Sequence, residues 1–232
     1  MPVTSQYAVP LPLVPYLPVR NSDLRFPVHR IYCVGRNYTD HAIEMGQDPN
    51  RETPFFFQKN ADNLVTNNGD FPYPPVSKEV HHEIELVVAM GNGGTDIARE
   101  NALDHVWGYA VGLDMTRRDM QSEMKKAGRP WEIGKAFEHS APCSDVAPAS
   151  EIGHPNEGRI QLKVNGEVRQ LGNFNQLIWK IPEIIMALSG LFELKPGDLI
   201  MTGTPAGVGA VSRGDLLECF IEGVGEMTTQ VV

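Results

Sequence analysis

The ten residues HHEIELVVAM at positions 81–90 carry the strongest strand pattern in the chain, together with two acidic residues. Polar and apolar residues alternate in the first half of this stretch, and the second half is wholly apolar. Alternation of period two is typical of a β-strand, and the apolar half indicates that the strand enters a core. Side chains two apart on a strand point to one face, so Glu83 and Glu85 share a face with His81. Two like charges at this spacing repel each other unless one is protonated or a cation lies between them.

A third carboxylate, Asp114, follows a second apolar strand predicted over 107–113. If the two strands are neighbours, three carboxylates converge, and such a site suits Mg²⁺ or Mn²⁺ because hard cations prefer oxygen ligands. Two simpler interpretations stay open. The glutamate pair could lie on a solvated sheet face, and Asp114 could cap the polar helix predicted over 116–127.

The remaining pattern predicts a β-rich fold with a few short helices. The segment RIQLKVNGEVR at 159–169 alternates around Asn165-Gly166, which supplies the positive φ angles of a tight hairpin turn. Asn37 is a plausible N-cap for a short helix through Met45, and Pro182 suits the first turn of another helix that runs to Leu188. Further strands are predicted over 29–34 and 55–58, and short strands joined by glycine turns follow residue 197. The fold class is therefore α+β, mainly β, with a proline-rich arm over 1–27 and a single catalytic domain over 28–232.

Composition excludes several classes of protein. The 232 residues include 20 Lys+Arg and 29 Asp+Glu, a formal net charge of −9, which argues against nucleic acid as the main ligand. No run of about 18 apolar residues occurs, so no membrane span is expected. The three cysteines, Cys33, Cys143 and Cys219, are far apart, which indicates no disulfide framework and fits a reducing cytoplasm.

Other residues could take part in chemistry. His41 and Glu44 are three apart on the first predicted helix and share a face, so they could form a general base oriented by a carboxylate or an exposed ion pair. Lys135 lies in an uncharged stretch, where it could meet an anion or extend to solvent. The glycine-rich loop Thr202–Gly209 lacks the ending of a phosphate-binding loop but could bring backbone N–H groups to an oxyanion.

Five cations lie between residues 117 and 129 of this acidic chain. A run of this kind is usually a solvated helix face, but here it could also attract an anionic substrate. The five are Arg117, Arg118, Lys125, Lys126 and Arg129.

Taken in order, these segments resemble the fumarylacetoacetate hydrolase family, in particular its small acylpyruvase-like branch. The likeness covers nearly the whole chain from about residue 28, and it is specific as an ordered set although each segment alone is weak. The matching segments are Gly35-Arg-Asn-Tyr38 with His41-x-x-Glu44, Pro54-Phe-Phe-Phe57, His81-His-Glu-Ile-Glu85, Gly108-Tyr-x-x-Gly-x-Asp114, Thr116-Arg-Arg-Asp119 with Gln121, Gly134-Lys135, and Thr202-Gly-Thr-Pro-x-Gly-Val-Gly209.

The resemblance implies a mixed β-roll or sandwich, a homodimer, and one divalent cation, Mg²⁺ or Mn²⁺, held by the three acidic residues. Larger members use one further aspartate for which this sequence has no secure equivalent, so water or substrate would fill that position. The pair His41 and Glu44 would activate water, and Lys135 and Gln121 would contact the substrate or its developing charge. Arg36, Arg117 or Arg118 would bind a distal carboxylate, with Arg118 ranked first because its position matches the family motif. Backbone near Thr204 would help to hold an oxyanion. The metal ligands implied are Glu83, Glu85 and Asp114.

The implied reaction is hydrolysis of a small anionic 2,4-diketo acid, with fumarylpyruvate, cleaved to fumarate and pyruvate, as the preferred substrate. Two alternatives stay open: decarboxylation of oxaloacetate or keto–enol isomerisation on the same metal site, and a non-catalytic binding protein of the same fold. The presence of His41 and Glu44 favours hydrolysis, because decarboxylation and isomerisation do not need a water-activating pair.

Overall fold

The computed structural model describes residues 7–44 and 52–232, apart from the side chains of residues 41–43. Within these ranges the chain is an α+β structure in which strands predominate, which confirms the predicted fold class. The strands are β1 (Tyr16–Pro18), β2 (Arg25–Pro27), β3 (Ile31–Gly35), β4 (Phe55–Lys59), β5 (Leu64–Val65), β6 (Val80–His82), β7 (Ile84–Met90), β8 (Val106–Leu113), β9 (Thr116–Arg117), β10 (Ala141–Pro142), β11 (Ala147–Pro148), β12 (Arg159–Val164), β13 (Glu167–Asn173), β14 (Leu199–Met201), β15 (Gly209–Ala210), β16 (Leu216–Ile221) and β17 (Gly225–Gln230). The α-helices are α1 (Thr39–Glu44), α2 (Arg118–Ala127), α3 (Glu132–Lys135), α4 (Ala149–Ile152) and α5 (Ile181–Ser189), and 3₁₀ segments cover Ala61–Asn63, Arg99–His105 and Phe174–Gln176.

A six-stranded mixed sheet, in the order β11-β8-β7-β14-β3-β4, forms the centre of the molecule. β14 runs parallel to β3 and antiparallel to β7, and β7 runs antiparallel to β8. Every residue of β7 is buried because both faces of this sheet are covered. Leu86 and Val88 belong to one apolar cluster, whereas Val87 and Ala89 belong to a second cluster on the opposite face.

Different elements cover the two faces. The first cluster also contains apolar residues of α5 and of a four-stranded antiparallel sheet in the order β13-β12-β16-β17. The second contains Leu17 and Phe26 from a ribbon in which β1 pairs with β2. The sequence predicts an irregular or edge-hugging arm over residues 1–25, and the structure shows that part of it forms this ribbon. Pro18 and Pro27 stand at strand ends, where a missing N–H is tolerated. The boundary at residue 27 between arm and domain stays a prediction.

The stretch predicted as one strand over 81–90 is two strands that meet at Glu83. β6 pairs with β9 and β15 in a small three-stranded sheet, whereas β7 pairs within the central sheet. The side chain of Gln170 lies at the break, where its Oε1 accepts the Ile84 N–H at 3.1 Å and lies 2.9 Å from His82 Nδ1. The break places Glu83 at the junction of two sheets.

The predicted hairpin is confirmed. β12 and β13 pair around Asn165 and Gly166, whose φ angles are +52° and +82°. β13 continues to Asn173, beyond the predicted end, because it pairs with the whole of β12 down to Arg159.

The helix starts differ from the predictions. α1 begins at Thr39, and Asn37 does not act as its N-cap: its side chain donates to Thr202 O at 2.7 Å and accepts the Trp179 N–H at 2.7 Å. α2 begins at Arg118 rather than Thr116, because Thr116 and Arg117 pair with β6 as the short strand β9. No helix in the described ranges is long and apolar enough to cross a membrane.

Candidate active site

The three predicted acidic residues lie together. β7 and β8 are antiparallel neighbours with Ile84 opposite Leu113, so Glu83 and Glu85 meet Asp114 at one end of the pair. One carboxylate oxygen from each residue lies within 4.8 Å of the others, and the residues are at most 4% exposed. Asp114 is therefore not a helix cap, and the glutamates do not face solvent. A buried cluster of this kind suits a hard divalent cation.

Lys135 balances part of this negative charge. Its Nζ donates to Glu83 Oε2 at 2.8 Å, to Asp114 Oδ2 at 2.7 Å and to Thr116 Oγ1 at 2.7 Å. Burial alone would lower the pKa of Lys135, but the charges of Asp114 and Glu83 outweigh it and the pKa is raised. Lys135 is therefore a permanent cation beside the acids.

Glu85 is the acid whose charge is least compensated. Burial raises its pKa well above the ordinary value, and the charges of Asp114 and Glu83 add to the shift. Lys135 and the Gly203 N–H, which donates to Glu85 Oε2 at 2.7 Å, act in the opposite direction but are weaker. Glu85 therefore needs either a proton or a cation at this position.

Lys59, which the sequence analysis missed, is the second buried lysine of the site. The strand predicted over 55–58 ends one residue before Lys59. A charged residue at the end of an aromatic strand is a signal from which a lysine in the site could have been predicted. The Nζ of Lys59 donates to the backbone oxygens of Met115 and Lys135 and lies 2.9 Å from Asp114 Oδ1. Apart from this ion pair, Oδ1 accepts no well-directed hydrogen bond from the described residues, so it has an acceptor position left for a cation.

The helices α2 and α3 bring further polar groups to the acids. Arg118 ion-pairs with Glu83 and donates from Nη1 to Gln121 Oε1 at 2.6 Å. Gln121 then has its Nε2 available as a donor. A Cβ at Gly134 would lie 3.0 Å from the backbone of Gln121, so a glycine lets α3 pack close enough for Lys135 to reach the acids.

The loop that follows β14 is held to the site by Gln170 and Thr204. The Thr204 hydroxyl donates to Ile84 O at 2.7 Å and accepts from Gln170 Nε2 at 2.8 Å. Gly203 has a φ of +101°, and a Cβ there would lie 2.7 Å from the Cβ of Asn37. The sequence analysis missed Gln170, because nothing in the alternation of β13 shows that this one side chain turns into the core.

The predicted water-activating pair is only partly described. α1 carries His41 and Glu44, but the side chain of His41 lies outside the described residues. The exposed Glu44 carboxylate accepts the Gly207 N–H at 3.0 and 3.2 Å, which ties α1 to the glycine-rich loop. The role of the pair stays a prediction.

Most of the predicted site residues line one pocket. His81 is not among its lining residues, and its Nδ1 accepts instead from Arg118 Nε at 3.3 Å. Lys125 also lines the pocket, as one of the five cations that could attract an anionic substrate. Phe57 and Trp131 line it too, although no role was predicted for either. The predicted residues that line it are Arg36, Glu83, Glu85, Asp114, Arg118, Gln121, Lys135 and Thr204.

Comparison with known proteins agrees with this geometry. The model of the fumarylacetoacetate (FAA) hydrolase C-terminal domain matches residues 30–232. The chain belongs to the fumarylacetoacetate hydrolase family. The resemblance read from the sequence is thus confirmed over most of the chain.

Several members of this family are similar to the chain along most of its length. The crystal structure of fumarylpyruvate hydrolase from Pseudomonas aeruginosa, in complex with Mn²⁺ and pyruvate, is 54% identical, covers 96% of this chain and 97% of its own, and superposes with a TM-score of 0.94. Fumarylpyruvate hydrolase from a Ralstonia species is 42% identical over 79% of this chain and 95% of its own. The mitochondrial oxaloacetate tautomerase of Rattus norvegicus is 44% identical over 87% of this chain and 90% of its own.

Proposed function

We propose that this chain hydrolyses the carbon–carbon bond of an acylpyruvate, with fumarylpyruvate as the preferred substrate and fumarate and pyruvate as products. The chain is a hydrolase of the type that acts on carbon–carbon bonds. The observation that carries the more specific proposal is the buried triad Glu83, Glu85 and Asp114 in a pocket lined by cations. The proposal includes a homodimer in the cytoplasm and a place in the breakdown of aromatic compounds of the gentisate type.

The three acids would hold one divalent cation, Mg²⁺ or Mn²⁺. The open Asp114 Oδ1 and the raised pKa of Glu85 are the features that fit a cation. When bound, the cation supplies positive charge for the carboxylate and 2-oxo group of an acylpyruvate and for the negative charge that develops on the pyruvyl fragment. Mn²⁺ and pyruvate occur together in the relative from P. aeruginosa.

The protein groups account for the remaining steps. His41 takes a proton from water, which attacks the distal carbonyl carbon of the substrate. Gln121 Nε2 and backbone N–H groups near Thr204 donate to the oxygen that becomes negative. Lys135 can join them when a substrate oxygen replaces the neutral Thr116 hydroxyl as its acceptor. The bond between the distal carbonyl carbon and the adjacent methylene then breaks, its electron pair passes to the pyruvyl fragment, and a proton on that carbon completes pyruvate.

A parallel assay tests this proposal. Purified protein with Mn²⁺ is incubated with fumarylpyruvate, acetylpyruvate and oxaloacetate, and pyruvate release is followed together with fumarate. We expect pyruvate and fumarate in equal amounts from fumarylpyruvate, and His41→Ala to lower this rate by about 10²–10⁴-fold. Unimpaired hydrolysis in His41→Ala would overturn the water-activating role.

The second candidate activity is tautomerisation or decarboxylation of oxaloacetate on the same metal site. The similarity to the oxaloacetate tautomerase of R. norvegicus favours it. The oxaloacetate arm of the assay separates the two reactions, since tautomerisation changes the enol absorbance without releasing pyruvate, whereas decarboxylation releases pyruvate. Activity on oxaloacetate alone would replace hydrolysis by this second function.

A further inference from the structure

Two cations at the site form no ion pair with the acids of the described residues. Arg36 and Lys125 both line the pocket, and neither forms an ion pair with any residue of the described ranges. Arg118, the arginine ranked first for a distal carboxylate, is committed to Glu83 and Gln121 instead. The unpaired positive charge therefore lies on the side of the pocket formed by Arg36 and Lys125.

An aromatic wall holds these cations in place. Arg36 Cζ lies 5.3 Å from the ring centroid of Phe55, and Lys125 Nζ lies 5.9 Å from that of Trp131. The two rings pack edge to face with their centroids 5.4 Å apart. The ring of Phe55 occupies the space where a Cβ of Gly35 would be, at 2.0 Å, so the wall depends on the glycine before Arg36.

The local backbone and charges also indicate a place for an anion. Arg36 has a φ of +56°, a left-handed conformation that residues with a side chain rarely adopt. Burial lowers the pKa of Lys125, and the neighbouring charges of Arg36 and Arg118 lower it further, whereas the charge of Glu83 acts in the opposite direction. An anion bound between Arg36 and Lys125 would relieve this repulsion.

We propose that Lys125 and Arg36, backed by Phe55 and Trp131, form a subsite for a second carboxylate at the acyl end of the substrate. This inference rests on the proposed acylpyruvate hydrolysis and makes it more specific, because it names the residues that recognise the negative charge of the acyl group. The ring of Trp131, which lines the pocket, suits a planar, unsaturated acyl chain. Lys125 is a specificity-determining residue, and its neighbour Lys126 on the same helix is exposed and serves as the matched control.

The test compares a substrate with a carboxylate at the acyl end with one that ends in a methyl group. The ratio of kcat/KM for fumarylpyruvate to kcat/KM for acetylpyruvate is measured with Mn²⁺ for the wild type, Lys125→Met, Lys125→Arg and Lys126→Met. We expect Lys125→Met to lower the ratio by about ten- to a hundredfold, the usual contribution of a charge-assisted hydrogen bond. Lys125→Arg should restore the ratio to within about threefold of the wild type, because it keeps the charge. Lys126→Met should leave the ratio unchanged.

Three results would overturn the subsite. These are an unchanged ratio in Lys125→Met, an equal loss on both substrates, and a wild type that prefers acetylpyruvate. The first two results leave the proposed function intact. A preference for acetylpyruvate would also overturn fumarylpyruvate as the preferred substrate and would leave only the hydrolysis of an acylpyruvate.

A binding measurement keeps the subsite testable without turnover. Calorimetric titration with fumarate should show affinity about tenfold weaker in Lys125→Met than in Lys126→Met. If the wild type hydrolyses neither substrate, the proposed function fails, and this difference in fumarate affinity alone then decides the subsite. Equal affinities in the two variants would overturn it.

Discussion

At the scale of single residues, the site is governed by the balance of buried charge. Glu83, Glu85 and Asp114 place three buried carboxylates within 4.8 Å of one another, and Lys135 and Arg118 bind two of them directly. Among the described residues, Glu85 accepts one hydrogen bond, from the backbone N–H of Gly203, and no ion pair holds its carboxylate. The negative charge of Glu85 is therefore the least compensated of the three. Binding of a metal and loss of the Glu85 proton are therefore linked.

This linkage predicts the pH dependence of metal affinity. Burial and the neighbouring acids raise the pKa of Glu85, so at pH values below that raised pKa a cation must displace a proton. We expect the apparent affinity for Mn²⁺ to increase with pH, by up to about tenfold per pH unit, and to level off above the raised pKa. Calorimetry at about pH 6 to about pH 8, in two buffers of different ionisation enthalpy, measures both the affinity and the proton release.

In the metal-free protein, the contribution of Glu85 to folding stability falls as the pH rises, whereas the affinity for metal increases with pH. Because the pKa of Glu85 is raised in the folded state, its contribution to stability is complete below the unfolded-state pKa and is lost as the pH rises through the folded-state pKa. Glu85→Gln, which cannot lose a proton, is the control and should bind Mn²⁺ weakly without a pH slope. Proton-independent affinity in the wild type would show that Glu85 is already ionised.

At the scale of elements, one side chain joins three of them. Gln170 of β13 bonds to His82 of β6, to the backbone of β7 at Ile84, and to Thr204 and Pro205 of the loop after β14. Two of its partners, His82 and Ile84, precede and follow Glu83 in the chain, and a third, Thr204, follows Gly203. Gln170 is thus a positioning residue for two of the groups that surround the metal.

Replacement of Gln170 by leucine should affect both stability and metal binding. Gln170→Leu leaves a buried ring nitrogen and a buried N–H without partners, so we expect the free energy of unfolding to fall by about 2–4 kcal/mol. The affinity for Mn²⁺ should fall by about ten- to a hundredfold, as for other groups that orient metal ligands. Denaturant unfolding and calorimetry measure the two effects.

A control variant separates positioning from stability. Gln161 lies on the neighbouring strand β12 and is only partly buried, so Gln161→Leu should change neither quantity much. If Gln170→Leu lowers stability but keeps the Mn²⁺ affinity of the wild type, the role of Gln170 is structural and the positioning role is wrong.

At the scale of the whole molecule, the described part of the N-terminal arm leaves apolar side chains in contact with water. Leu13 is 92% exposed, and its neighbours on this extended segment are more than half exposed. Contiguous apolar surface of this kind is uncommon on monomers and usually packs against another chain. These residues are Tyr7, Val9, Leu11, Leu13 and Val14.

The homodimer that the family resemblance implies is therefore a prediction with a direct measurement. Sedimentation of the purified protein should give a mass twice the 25.7 kDa of one chain. A double variant, Leu13→Ser with Val14→Ser, should weaken the association if the arm covers the partner, since it removes the exposed apolar contacts. A wild type of single-chain mass at micromolar concentration would contradict the dimer.

The sequence by itself determined the β-rich fold, the hairpin at Asn165-Gly166 and the identity of the three acids, because these depend on local periodicity and on side-chain spacing along a strand. The break at Glu83, the ribbon of β1 and β2 and the true helix starts depend on partners distant in the chain. Lys59 and Gln170 entered the site only through packing, because burial cannot be read from a residue's neighbours in sequence. The same holds for what separates Lys125 from the other cations of its run, namely its position on the pocket wall. Only the tertiary structure could show which cations are paired with acids and which face the pocket, since electrostatic energy depends on distance and burial in space.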